Sequence, residues 1–361
     1  FYDVMDDGGF DVIIGNPPYV QLRKIKDYEL RGYDTLDGGD LYPLVMERCM
    51  NTGDAEGWQG FIVPVSSVST DGYSSLQDLI RQRSVIFSAY DDRPSKLFNL
   101  QHSRLAIHLI VPTQVQNSTL STRYNKWMSD ERDVLFEALT YADTGSDAIS
   151  NSLPKLSHPI EDRILDKLQS DGATLGTFEN RKRKHVIYYS RKVGYFLQAL
   201  NFVPIVLNGN GERREPSEFK RLRFSEKNIA TIALACLNSN LMYWFVHVFS
   251  DCRHLNKREV AGFPVDLERL AGGASEQALL DATKRLMQDL KDNSVNRTWR
   301  DLTIQNIIPR HSKPIIDEID TVLADHYGFT DEELDFIVNY DVKYRLGVDA
   351  FPVFDSETAT A

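Results

Sequence analysis

Apolar and polar positions follow two rhythms along this chain, and the switch between them outlines its elements. The short run Val12-Ile13-Ile14, closed by Gly15, reads as a strand buried on both faces, as in a parallel sheet. From Asp40 the apolar residues Leu41, Leu44, Val45 and Met46 share one side of a helix over 40–50, with Asp40 placed as its N-cap. A turn and strand over 57–64, a helix over 74–82, and strands over 85–90 and 105–111 follow. Strand, helix, strand, helix, strand is the second half of a doubly wound α/β sheet.

Residues 115–270 are too many for a tail on that sheet and carry strands of their own, which predicts an α+β domain. Its long apolar helix ends near Phe249. From about Gly272 helical stretches dominate, over 276–290 and 315–327. Thr330 then N-caps a third short helix, with Glu333 completing a capping box. The expected division is therefore 1–114, 115–270 and a helical, acidic segment 271–361.

A chain of 361 residues with 42% hydrophobic content has enough apolar material for more than one core. It opens on Phe1 with no charged-then-apolar leader, which reads as the start of a fragment and not as a secretion signal. The longest apolar stretch, 229–249, is broken by Asn238, Ser239, Asn240 and His247 and does not read as a membrane span. Cys49, Cys236 and Cys252 show neither pairing nor metal-ligand spacing, so a reduced, cytoplasmic setting without a metal is expected.

The net charge of -11 argues against a uniformly basic nucleic-acid binder, but the charge is segregated. Residues 1–60 hold 12 acids against 5 Lys and Arg, and 317–361 hold 12 against 2, whereas 181–223 hold 11 Lys and Arg against 3 acids. Such a reversal suits a phosphate-facing patch within an acidic protein, although a solvated charged face is the simpler reading.

The chemistry centres on Asn16-Pro17-Pro18-Tyr19, directly after the first strand. In open α/β sheets function gathers at the carboxyl edge. Two prolines fix φ and remove two backbone donors, so the loop cannot continue as helix or ladder and its carbonyls face outward. The Asn16 side-chain oxygen and the Pro17 carbonyl then offer two acceptors to one amino group, while Tyr19 offers a flat ring for stacking. A plain turn with a surface tyrosine is the alternative.

This tetrapeptide resembles that of the S-adenosylmethionine-dependent amino-group methyltransferases. The order of the segments around it is similar to the TaqI-like adenine-N6 DNA branch, with its type IIG restriction-modification and BREX-type phage-defence relatives. The resemblance implies a partial Rossmann-like methyltransferase sheet over 1–114 and a target-recognition domain over 115–270. It also implies Asn16, Pro17, Pro18 and Tyr19 as the catalytic loop. Asp40-Leu41-Tyr42 resembles the segment lining the cofactor's adenine pocket, together with Asn16, and Phe98 in Lys96-Leu97-Phe98 resembles the ring covering the other face of a flipped base. The glycine-rich first motif and its ribose-binding acid are not found ahead of Asn16. The implied reading is the carboxyl-terminal part of a larger enzyme, with a cofactor pocket incomplete by itself. The remaining polypeptide would supply the amino-terminal half and, in some relatives, a nuclease.

Two basic islands fit double-stranded DNA as the partner. Arg181-Lys182-Arg183-Lys184-His185 leads into Tyr188, Tyr189, Arg191, Lys192 and Tyr195, interleaving cations with aromatic rings. Asp251-Cys252-Arg253-His254-Leu255-Asn256-Lys257-Arg258-Glu259 is similar to the specificity-domain signature of the same enzymes. The donors of Arg253, His254, Asn256, Lys257 and Arg258 could reach phosphates or base edges, Arg and Lys suiting guanine and Asn adenine. Internal pairing of Arg258 with Glu259 or Asp251 is the competing reading. The implied mechanism is base flipping, with Tyr19 and Phe98 offsetting the lost stacking. RNA bases and protein glutamine present a similar planar amine and stay open as substrates, as does a recognition module without chemistry of its own.

Overall fold

The computed structural model describes residues 2–26, 29–98, 104–112, 118–144, 152–180 and 184–347, and of Trp299 the backbone. It divides into two compact units, Phe1–Leu165 with Val246–Cys252, and Asp166–Phe245 with Arg253–Ala361.

The first unit opens with α1 (Tyr2–Asp6) and β1 (Phe10–Gly15), then α2 (Leu41–Thr52) and β2 (Gly53–Pro64). After α3 (Ser66–Ser69) and α4 (Ser74–Arg81) come β3 (Val85–Tyr90), β4 (Leu105–Ile110), β5 (Thr119–Asn125) and β6 (Ala142–Asp143). These strands form one mixed sheet in the order β1-β2-β4-β3-β5-β6. β1 runs parallel to β2 and β3 to β5, while β4 runs antiparallel to both β2 and β3. The carboxyl ends of β1, β2, β3 and β5 therefore share one edge. Gly57 permits the close start of the β1–β2 pair, because a Cβ there would stand 2.7 Å from the Phe10 carbonyl oxygen.

One face of this sheet is the core. Phe61, Val63, Val85, Phe87, Ala89 and Ile110 pack with Tyr42 and Met46 of α2 and Leu76 and Ile80 of α4. The opposite face is covered around β3 and β4, where Tyr90, Leu105, Trp127 and Leu135 cluster. Nearer β1 it is open, with Val12, Ile14, Trp58 and Leu109 all exposed. The expectation that β1 is buried on both faces is corrected here, since Ile14 is 84% exposed. β1 is an edge strand paired only with β2, and among the described residues no element lies over its outer face.

α5 (Pro159–Gln169) carries the chain into the second unit. There β7 (His185–Ser190), β8 (Ala199–Leu200), β9 (Val206–Leu207) and β10 (Phe219–Phe224) precede α6 (Lys227–Asn238) and the start of α7 (Asn240–Phe249), whose last residues from Val246 belong to the first unit. β10-β7-β8 form one antiparallel sheet. α6 and α7 are two helices bent by 63° at Ser239, and no single described helix is long and apolar enough to cross a membrane. The short α8 (Lys257–Ala261) and α9 (Leu267–Ala271) lead to α10 (Glu276–Asp292). β11 (Ser294–Trp299) and β12 (Leu302–Ile307) then form a hairpin that adds to β9, a sheet inside the segment expected to be helical. α11 (Lys313–Tyr327), α12 (Asp331–Asn339) and α13 (Val342–Leu346) close the described chain. The Thr330 capping box is present: its hydroxyl accepts the Glu333 N–H at 3.3 Å, and the Glu333 carboxylate accepts the Thr330 N–H at 2.7 Å.

Candidate functional site

Asn16 to Tyr19 leave β1 at the carboxyl edge of the sheet, and the next residues are stitched to the lead-in of α2. Leu41 N–H donates to the Val20 carbonyl at 2.8 Å, Leu22 N–H to the Gly39 carbonyl at 2.9 Å, and Gln21 bridges Asp40. Pro17 is buried while Asn16, Pro18 and Tyr19 are exposed, so one proline anchors the loop and its neighbours face solvent. No backbone N–H among the described residues donates to the Pro17 carbonyl.

Tyr19 is not interred, being 39% exposed. Its hydroxyl lies 2.9 Å from Asn16 Oδ1 and 2.8 Å from the Ile62 carbonyl oxygen, within donating reach of both. Partial burial pushes its phenol up to about 12, which keeps it a donor at neutral pH. Asn16 Oδ1 is thereby turned toward the ring and keeps one lone pair for another donor. The ring stands edge-on to Tyr42 at 6.2 Å and 83°.

Tyr42 in turn lies 5.4 Å from Tyr73, whose hydroxyl donates to Asp40 Oδ2 at 2.5 Å. Asp40 stands at the N-cap position of α2, but its side chain caps nothing because Tyr73 holds it. Tyr42 is fully buried, with its hydroxyl 3.4 Å from Ser66 Oγ, and its phenol is raised well above the ordinary value, by burial first and then by Tyr73. Leu41 is half-buried. A committed carboxylate and an interred ring do not fit an S-adenosylmethionine adenine pocket by themselves. Asn16 is the open member of the expected cofactor set.

The same edge holds a buried ion cluster that sequence reading missed. Arg104 Nε lies 3.2 Å from Asp91 and 3.3 Å from Asp92, with Lys126 Nζ 3.8 Å from Asp91. Burial raises the Asp91 carboxyl despite both cations. The signal was the Asp91-Asp92 pair placed directly after the apolar strand β3. Six residues further, Phe98 is exposed on a segment whose Lys96 and Leu97 carbonyls accept the Arg132 guanidinium at 3.1 and 2.7 Å. Among the described residues Phe98 makes no ring contact with Tyr19.

In the second unit the two basic islands meet. Leu255 N–H donates to the Arg191 carbonyl at 2.7 Å, Val193 N–H to the Arg253 carbonyl at 3.4 Å, and Lys192 bridges His254. Arg191, Lys192, Arg253, Asn256 and Lys257 are exposed there, and His254 is half-buried. Lys192 lies 3.7 Å from Glu218 and Lys257 2.5 Å from Glu179. Arg258 is held by Glu259 at 2.9 Å and only 16% of its side chain is exposed, which is internal pairing. Glu259 also accepts the Asn256 N–H at 2.8 Å, tying that loop to α8. Lys184 is exposed ahead of β7, and Arg181, Lys182 and Arg183 lie outside the described residues. The sequence did not single out Lys220, Arg221 and Arg223 on β10, where Phe-Lys-Arg-Leu-Arg-Phe already alternates as a strand. They line a groove of about 830 Å³ with Tyr188 and Tyr189.

Residues 1–98 match the Eco57I restriction-modification methylase family. A search of curated proteins finds no match. Among solved structures the chain is similar to the type IIL restriction-modification enzyme MmeI in complex with DNA, at 9% identity and a TM-score of 0.44 over 94% of this chain and 57% of that one. It is similar to a nuclease-deletion mutant of the type ISP enzyme LlaGI with a DNA substrate mimic, at 10% identity and 0.41 over 87% and 47%. The DrdV–DNA complex gives 13% and 0.32 over 54% and 24%. These are distant likenesses that do not bear on the fold, and the chain spans from about a quarter to somewhat over half of each.

Proposed function

With residues 1–98 carrying the Eco57I restriction-modification methylase pattern, we propose that this chain serves site-specific methylation of the adenine N6 amino group in DNA. The methyl donor is S-adenosylmethionine. The observation that supports this reading is the Asn16–Tyr19 loop itself: it leaves an edge strand with a Pro17 carbonyl that no backbone N–H among the described residues takes, an exposed Asn16 amide whose Oδ1 keeps a lone pair beside the Tyr19 hydroxyl, and a half-exposed tyrosine ring.

The chemistry of the loop follows from the amine it would hold. An exocyclic amine on an aromatic ring is a poor nucleophile because its lone pair is delocalised into the ring. Asn16 Oδ1 and the Pro17 carbonyl accept its two hydrogens, which localises the pair on nitrogen and aims it. No general base is required for the amine so held to attack, and the proton that the nitrogen sheds once methylated passes to solvent. The Tyr19 ring takes one face of the flipped base and offsets part of the unstacking cost. Asp40, Leu41 and Tyr42 do not make a cofactor pocket by themselves. The bare β1–β2 face, with Val12, Ile14 and Trp58, fits a sheet completed by further polypeptide. For the chain alone, DNA recognition through the joined basic segments 184–192 and 253–258 is the function the geometry favours, and target recognition is given on that ground to the second unit, with the strands of 119–143 kept in the first sheet.

The test is methyl transfer to duplex DNA from labelled donor by the full-length polypeptide. Asn16→Ala is expected to lower turnover on the order of 10²-fold or more, the scale of one preorganised polar contact. Tyr19→Ala is expected to act through base capture, by roughly 1–3 kcal/mol. Unchanged turnover in Asn16→Ala overturns the assignment.

A further inference from the structure

Lys220 is one of the residues that line the groove on the second unit. In the antiparallel pair of β7 and β10, Lys220 stands opposite Tyr189, and Arg191 N–H donates to the Glu218 carbonyl at 2.8 Å two positions on. Lys220 and Arg191 are therefore diagonal neighbours on one face, about 7–8 Å apart by the geometry of such pairs. Each carboxylate around them already has a nearer cation. Glu179 pairs with Lys257, Glu215 with Arg221, Glu218 with Lys192 and Glu259 with Arg258. Among the described residues neither Lys220 nor Arg191 has a carboxylate partner.

Lys220 is also partly buried, and burial first, then Arg191, draws its ammonium down while Glu259 opposes them. Two unpaired like charges held on one face, one of them partly buried, are costly unless an anion joins them. The setting is larger than a single small anion needs. The groove of about 830 Å³ continues past Glu215 to Phe219 into a second of about 490 Å³, which Lys192, Gln198 and Arg214 line. Arg221 lies 5.7 Å over the Tyr188 ring at its wall.

We propose that Lys220 and Arg191 together seat a backbone phosphate of the bound nucleic acid. This rests on the DNA-recognition reading above. A phosphate contact positions the duplex and carries no sequence information, so its loss weakens binding to every sequence alike. The experiment is fluorescence-anisotropy titration of the chain with labelled duplexes of two unrelated sequences, across a series of chloride concentrations. Lys220→Gln is expected to lower affinity equally for both duplexes and to reduce the slope of log K against log salt by about 0.9, the share of one phosphate. Lys220→Arg is expected to restore the slope, and Arg191→Gln to reproduce the loss independently of how Lys220→Gln folds. If the unmodified chain binds duplex and both glutamine variants keep its slope, the seat is wrong while recognition stands. If the unmodified chain binds no duplex at low salt, recognition falls and the seat with it. If inorganic phosphate at matched ionic strength displaces the duplex while the slopes stay unchanged, the pair binds free phosphate and the backbone assignment is overturned.

Discussion

His108 shows how strongly a single residue is constrained in the first unit. Its ring is fully buried, lies 5.9 Å from Phe87 in a stacked arrangement, and meets Ser67 Oγ through Nε2 at 3.0 Å, while Nδ1 has no partner among the described residues. Burial pushes its pKa down to about 4. In the unfolded chain the imidazole takes a proton near pH 6.5, and in the folded chain only near 4. Unfolding thus takes up a proton in that window, so the stability this group contributes is present above pH 6.5 and is lost as pH falls toward 4. The expected slope is about 1.4 kcal/mol per pH unit. Urea denaturation from pH 7.5 to 4 should show it, and His108→Leu should flatten it. An unchanged slope in the variant would show that another group carries the acid sensitivity. The exposed loop of Asn16 to Tyr19 was legible in the sequence because two prolines exclude regular structure. What could not be read was that Tyr73 would take the Asp40 carboxylate, a partner 33 positions away brought there only by tertiary packing.

At the scale of elements, the start of α7 depends on a carboxylate from α11. Asp320 accepts the N–H groups of Asn240 and Leu241 at 2.9 and 3.0 Å and the Asn240 amide at 2.7 Å, all of them buried. These are the first donors of a helix, which have no partners within it. Asp320→Ala should cost roughly 2–4 kcal/mol, because two backbone donors lose their acceptor out of contact with water, while the Asn240 side-chain amide keeps Asp317. Asp320→Asn, which keeps an acceptor oxygen, should cost less. Equal melting temperatures for Asp320→Ala and the unmodified chain would contradict this. The helices were legible from their 3.6-residue pattern and the α12 cap from its Thr-x-x-Glu spacing. β1 was misread because a run of apolar residues records hydrophobicity and not which face is covered. The β11–β12 hairpin was missed because its six-residue strands lie between long helices and turn through Arg300, a non-glycine residue at φ 55°. Lys220 was hidden inside a charge run in which each Lys and Arg looks alike until register separates the faces.

The whole molecule joins an acidic chain to a local basic surface. Its net charge of -11 coexists with the meeting of residues 191–193 and 253–255, which no periodicity could have foretold because some sixty residues separate them. The Eco57I pattern ends at residue 98, so it covers the loop but not the basic groove. The loop is the claim on which the account depends. Nucleoside mass spectrometry of DNA from cells without adenine methylation of their own, expressing the full-length polypeptide, tests it most directly. N6-methyladenine should accumulate with the unmodified protein and be absent with Asn16→Ala. Methylation at cytosine, or N6-methyladenine that persists in Asn16→Ala, would contradict it.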